Sequence, residues 1–526
     1  MWLPLHEESE QIVDKYLTDI TYLHHVVHIP SVRVLVNELY ENLSTKSPVK
    51  LGQVSLLLAM LASTAFFWTE RDMHRLAFSS VADANELSKK WMAMSFEVLE
   101  YSRRTCSESI EDVQALIILA FLVCHIVGIT SRARYLFSTA TSIAWQLSLH
   151  RIDHRYNAKL DVPQSDSVKA EIGRRVWWYL VATDWQMSQL TGLQQGIYMV
   201  NPRHMATNKP IHANDEDLFD GMNLVGKPLD QPTVMSYYLQ RIRLGEICRE
   251  ISDSFPFLEA ELGNPDYQQV KEIDQRICEF SQALPYFFQL DYDMRELPER
   301  DPHRSSGIAV HRYIINSMLH TQRCRLHLPY LSRAAEAPFT YSRNACLEAA
   351  RMVIRTEAQL SSNNIPFFMT RMKFSGSLLC VCMAIIVLLI DLCHNKSFGP
   401  DEEQERRLEI RNALGILEEG KSQSPFADRL LDTFNSILQR NKVPLPTERK
   451  SASHSKISNG PIQDASVGSA PTPVPSSEAD LEPTSTDPAL PSFDDLWQTF
   501  DTNADPSTLF DWNTLLSELD APFLSI

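Results

Sequence analysis

The sequence predicts an all-α protein: a large multi-helix domain over residues 1–440, a disordered linker over 441–491 and a short acidic amphipathic tail over 492–526. Three observations carry this reading. Glycine is scarce, at 16 of 526 residues, and alternating β-branched runs are few, so strands joined by tight turns have little support. From residue 7 to about 440, apolar residues instead recur at three- and four-residue steps, the period of a helix with one buried face. Composition then breaks at Pro444. With 44% hydrophobic and 22% charged residues, the chain has the make-up of a globular protein.

Within the helical region, Ile110 to Val127 is apolar nearly all round, as expected of a helix surrounded by others. Between Thr130 and His150, the residues Ala133, Leu136, Phe137, Ala140, Ile143, Ala144 and Leu147 mark one buried helix face, with Thr130 as the N-cap. Leu378 to Ile390 is apolar for 13 residues, short of the roughly 20 that cross a bilayer, so a buried core helix is expected and no membrane partner. Nine cysteines form no Cys-x-x-Cys pair and read as reduced, mostly buried thiols of an intracellular protein. Cys380 and Cys382, about 200° apart on a helix, cannot chelate together.

Pro444 to Pro491 is rich in Pro, Ser, Thr, Ala and Asp and has almost no large apolar residues, too little to offset the entropy of ordering. Beyond it, Phe493, Leu496, Trp497 and Phe500 stand at i, i+3, i+4 and i+7, and Trp512, Leu515, Leu516 and Leu519 repeat that spacing 19 residues later. Each set is one apolar stripe on a helix too short to be stable alone. After Lys456 there is no cation, while 12 carboxylates account for most of the net charge of −17 and leave −5 on residues 1–456. Acidic groups keep such stripes solvated until a partner groove buries them. Docking onto the chain's own helical domain is the competing reading, since the linker has ample reach. The unbalanced carboxylates favour an external partner.

Between residues 132 and 196 two motifs stand out. A helix ends in Leu147, Ser148, Leu149, His150 and Arg151, and a later one carries Glu171, Arg174, Arg175, Trp177, Trp178 and Asp184 before a turn at Gly192, Leu193 and Gln194. Together with His28, Ile29 and Pro30 after a helix containing Tyr16, these elements resemble the middle homology region of fungal zinc-cluster transcription factors. Ser148 replaces a usual Gly, and Gly192, Leu193, Gln194 replace a usual Gly-Arg-Pro. The resemblance implies an all-helical domain that controls a nuclear regulator, in some members by sensing metabolites. In that family DNA is read by six cysteines within about 30 residues, holding two zinc ions. No such block occurs in this sequence, so zinc and direct DNA contact are expected to belong to an upstream segment or a partner, and no cofactor is expected in this chain.

On the second motif helix, Glu171 and Arg175 form an i, i+4 pair, Trp177 and Val181 share a buried side, and Asp184 is placed to accept hydrogen bonds from a neighbouring helix. A structural role outweighs ligand contact for these residues, because buried charges are seldom left unpaired. His24 with His28, and His150 with His154, have helical spacing for a shared metal, yet no third ligand accompanies either pair. Helix-surface or turn histidines are the favoured reading. No nucleophile elbow, phosphate-cradling loop or dinucleotide turn appears, so enzymatic function has no support. Basic residues Arg440, Lys442, Arg449 and Lys450 suit nuclear import, but solvated loop charge explains them better. The expectation is a nuclear transcription regulator, an activator of a fungal metabolic or biosynthetic gene set. It works through its tail on co-activator machinery, with a small-molecule effector as a candidate ligand of the helical domain. The alternative is an effector-sensing or scaffold co-regulator recruited by a partner.

Overall fold

In a computed structural model, residues 3–446 are described apart from 76, 155–166, 191–194, 222–224, 256–266, 292–306, 332–336, 363–366, 368–369, 395–398 and 441–442. Fifteen α-helices and no strand occur among the described residues, so the fold is all-α. The two tail stripes, Phe493 to Phe500 and Trp512 to Leu519, the linker beyond Pro446, and Gly192 lie outside the described residues.

The first half is built on two apolar helices. Helices α1 (His6–Asp19), α2 (Thr21–His24) and α3 (Ile29–Thr45) lead into α4 (Leu51–Phe66), which packs on α1, on α5 (Val81–Arg104) and on α6 (Ile110–Val127). As its composition predicts, α6 is buried from Asp112 to His125 at every position except Phe121. One carboxylate closes this corner. Asp112 accepts the Ser109 N–H at 2.9 Å as part of the α6 capping box, and also the hydroxyls of Ser55 on α4 (2.9 Å) and Ser102 on α5 (3.2 Å). A side chain at Gly52 would meet Ser109 Oγ at 2.1 Å, so glycine lets α4 approach the start of α6.

Helix α7 (Ser131–Gln146) begins after Thr130 as expected, although the Thr130 hydroxyl makes no cap bond. It ends four residues earlier than the Thr130 to His150 reading. Ser148 takes a left-handed backbone, φ 58°, which stops an α-helix and turns Leu149–Arg151 into a 3-10 turn. Helix α8 (Val168–Met187), capped by the Ser167 hydroxyl accepting the Ala170 N–H, packs on α9 (Ser236–Ser254). Gly245 of α9 sits where a side chain would come within 3.2 Å of the Ala182 backbone.

Helices α10 (Tyr267–Gln282), α11 (Ile308–His327), α12 (Thr340–Ser362), α13 (Ser375–His394), α14 (Pro400–Gly420) and α15 (Pro425–Arg440) complete the described chain. A shared core runs from Cys324 through the apolar run of α13 to Leu438. By composition alone Ile110–Val127 and Ser375–Cys393 are apolar enough to cross a membrane, but 72% and 89% of those windows are buried inside the protein. Cys380 and Cys382 are both buried thiols, and all nine cysteines are free.

Candidate functional site

Helix α8 holds loops with one set of residues and lines a cavity with another. On the loop face the motif residues come together. Arg174 makes a two-pronged contact with Asp153, at 3.1 and 2.6 Å, and reaches Glu171 at 3.2 Å. Glu171, almost fully buried, accepts the Ile211 N–H at 2.9 Å and stands 3.7 Å from Arg175 Nε. Burial pushes the Glu171 carboxyl up despite these cations.

Arg175 is wholly buried and donates to Asp215 Oδ1 at 2.7 Å. The other oxygen of Asp215 accepts the Ile29 N–H at 2.8 Å, its backbone carbonyl faces His28 Nε2 at 3.0 Å, and His25 Nε2 lies 3.4 Å from Oδ1. Burial raises the Asp215 carboxyl, but the charges of Arg175 and His25 outweigh it and hold the group well below the usual carboxylate range. The motif helix, the loop around 207–217 and the turn before α3 are thus fastened to one buried ion cluster.

The remaining motif residues extend this fastening. Trp178 Nε1 donates to the carbonyls of Thr207 and Asn208, and the Thr207 hydroxyl donates to the Leu149 carbonyl at 2.6 Å. Ala206 N–H bonds the His150 carbonyl at 2.7 Å. Trp177 is fully buried with the His150 ring 5.9 Å away, Leu147 N–H closes the end of α7 on Ile143, and Arg151 lies in the 3-10 turn. Asp184 does not bond a neighbouring helix, as the spacing suggested. Its Oδ2 accepts the N–H groups of Met199 and Val200, both at 2.8 Å, because the chain after α8 folds back over it. Burial raises the Asp184 carboxyl to about 6.

The histidine pairs are also separated. His24 ends α2 and His28 precedes α3; both are buried rather than exposed, and each has its own partner, Tyr179 Oη at 3.2 Å and Ser31 Oγ at 2.8 Å. No cluster of three or more metal-ligating side chains occurs among the described residues.

The C-terminal half of α8 supplies Tyr179, Thr183, Gln186 and Met187 to a cavity of about 180 Å³. Its other walls come from α2, α6, α7, α9, α11 and α13, including His24, Phe121, Phe137, Arg241, Arg325 and Cys380. The volume exceeds the roughly 150 Å³ of an apolar cavity that accepts benzene. Phe121, the one partly accessible residue within the buried run of α6, faces this space. Two cations line it. Arg241 lies flat over the Tyr179 ring, 4.2 Å from its centroid, and donates to Thr183 Oγ1 at 2.6 Å. Arg325 donates to the Gln189 carbonyl at 2.6 Å. Burial, with the Arg241 charge adding to it, lowers the His24 imidazole to about 3, so that ring is neutral.

Sequence reading missed Asp215, His25, Arg241 and Arg325. Only Arg175 signalled a missing partner, as an arginine within the apolar stretch around Trp177 and Trp178. The cavity cations lie on helices whose apolar pattern is ordinary.

Residues 13–281 match the fungal specific transcription factor domain, just over half of the chain. The chain belongs to that family. Fungal-specific transcription factors are regulators of transcription and not enzymes, and the matched residues span α1 to the end of α10. Among curated relatives, the probable transcription factor lepB of Aspergillus flavus is 35% identical over 99% of this chain and 93% of its own length. The agnestins biosynthesis cluster transcription factor AgnL11 of Paecilomyces divaricatus is 29% identical over 90% of this chain and 68% of its own. Transcription factor TAS2 of Pyricularia oryzae is 27% identical over 69% and 47%. As a member of this family the chain is a fungal transcription factor, and the family's work implies action in the nucleus.

Proposed function

We propose that this transcription factor activates a biosynthetic gene cluster, with the helical domain controlling an acidic activation tail. The carrying observation is likeness along nearly the whole chain to the lepB transcription factor, joined by a relative whose name ties it to a biosynthesis cluster. The tail reading is supported by the paired stripes Phe493, Leu496, Trp497, Phe500 and Trp512, Leu515, Leu516, Leu519 on a stretch without cations. Helix-in-groove docking onto co-activator machinery uses such i, i+3, i+4, i+7 anchors. Contact with DNA comes through a further segment or a partner.

Residues 441–526 fused to a foreign DNA-binding domain are expected to drive a reporter, and Trp497→Ala with Trp512→Ala to silence it. A silent parent fusion, or an unaffected double variant, sinks the activation reading. Deleting the gene is expected to lower transcripts of the biosynthetic genes beside it. The cavity favours a second layer, control of the helical domain by a small molecule, because it is a mainly apolar space between helices, where ligand sites commonly form.

A further inference from the structure

We propose that the α8–α11 cavity binds a small, mainly apolar organic acid, with its carboxylate between Arg325 and Arg241 and its apolar body against Phe121, Phe137 and Phe374. This deepens the effector control proposed above and rests on it for its regulatory meaning, while the binding itself is testable alone.

Charge is the first argument. Among the residues lining the cavity are two arginines and no aspartate or glutamate. Neither Arg241 nor Arg325 has a carboxylate within salt-bridge distance among the described residues, although Arg241 is 4% exposed, Arg325 is half-buried and burial depresses the Arg325 guanidinium. Three other buried arginines are matched by carboxylates: Arg175 by Asp215, Arg174 by Asp153 and Arg371 by Glu357. Cations drawn partly or wholly out of water without counter-charge are costly, so a site that keeps two facing one space favours an anion there.

Unfilled hydrogen-bonding capacity is the second argument. The Nε of Arg325, the hydroxyl of Ser317 and Oε1 of Gln322 are shielded from solvent and have no protein partner. All three lie on α11, and all three residues line the cavity. Ser317, Thr321 and Arg325 stand at i, i+4 and i+8, so α11 turns a polar stripe toward this space. Of these, the Arg325 Nε–H and the Ser317 hydroxyl are donors, the type of group that an anion's oxygens accept from. Water would satisfy neutral groups, but it does not balance two guanidinium charges. The remaining wall is aromatic and aliphatic, which fits the body of an amphipathic acid and not a sugar or a free phosphate.

The test titrates the purified full chain with 3-phenylpropanoate and octanoate, and with 3-phenylpropanamide and octanamide as neutral counterparts, by calorimetry and thermal unfolding. The acids are expected to bind at one site per chain and raise the melting midpoint, with the amides about tenfold or more weaker, the loss of one charge-assisted hydrogen bond. Arg325→Met is expected to shrink that preference, with Arg241 still in place, by weakening the acids and not the amides. Ser317→Leu, which fills the cavity with apolar volume, is expected to abolish binding of both and gives the result if Arg325→Met does not fold. Equal binding of acid and amide, no binding of any probe, or full acid affinity in Ser317→Leu would each overturn the proposal. A chain that binds acids but drives no reporter fails only the regulatory reading, and one that drives the reporter without binding fails only this one.

Discussion

Replacing Asp215 by Asn removes one charge from the buried cluster that ties α8 to the 207–217 loop and the turn before α3. Asp215 and Arg175 are both within 1% of complete burial, and their contact is 2.7 Å long. Breaking such a pair leaves an uncompensated buried cation, at about 3–5 kcal/mol. Glu171, 3.7 Å from Arg175 Nε, recovers part of this, and the Asn carbonyl still accepts the Ile29 N–H. We therefore expect the low end, about 3 kcal/mol, a large share of the roughly 5–15 kcal/mol that holds a domain together. Urea unfolding followed by far-UV circular dichroism reads it as a lower midpoint at constant slope. Arg175→Met should cost a similar amount, and Arg175→Met with Asp215→Leu should cost far less than the two together, because an apolar pair replaces an ionic one. Additive losses would refute the claim that the two residues act as a unit. The pH dependence has a fixed sign. A carboxyl held below its unfolded value contributes stability that is present above about pH 4 and is lost as pH falls further, so wild type should weaken below pH 4 more steeply than Asp215→Asn.

Three further perturbations have definite signs. Asp184, raised by burial to about 6, gives up stability as pH rises from about 4 to 6; Asp184→Asn should remove that slope and gain on the order of 2 kcal/mol at pH 7 in the same unfolding assay. Ser148→Gly relieves a left-handed backbone at an exposed site and, after the added entropy of the unfolded glycine, should stabilise by about 0.5–1 kcal/mol, visible as a higher melting midpoint. Gly245→Ala drives a methyl to within 3.2 Å of the Ala182 backbone, which cannot swing aside as a side chain would, and should cost about 1–3 kcal/mol in a thermal melt.

The helices were legible in the sequence wherever period and burial coincide. The apolar run Ile110–Val127 is α6 to the residue, and Leu378–Ile390 lies inside the buried α13. Where a single residue decides the backbone, the pattern misled: apolar spacing carries α7 on to Leu147 and beyond, but Ser148 ends it, and a usual Gly at that position was the only hint of a left-handed turn. The site was legible by half. Glu171, Arg174 and Arg175 stand out on one helix, while Asp153 is 21 positions from Arg174, Asp215 is 40 from Arg175, and His25, which faces Asp215, is 190 from it; no local spacing joins loop to helix across such separations. The cavity arginines were invisible for the opposite reason. What distinguishes them is the lack of a carboxylate partner among the described residues, a property of the fold rather than of any motif.

The placement of these unpaired groups says where a ligand can do work. A ligand shifts a conformational equilibrium only through contacts that differ between states. On α8 the cavity face is backed by ion pairs and by Asp184 holding the 199–200 backbone, so this wall has little freedom to respond. Along α11 the cavity face carries Ser317, Gln322 and Arg325 with atoms still unfilled, and the same helix packs on α12 and α13. The same helix holds the core thiol Cys324 against the Cys346 carbonyl of α12. An acid that satisfied α11 would gain its energy at the wall whose bonding is incomplete, and would pass it to α12 and α13 and so toward the C-terminal helices that precede the tail. On the ligand proposed above, the fungal-specific domain would supply the fixed half of the site, through α8, and the helices after residue 281 the half that answers it.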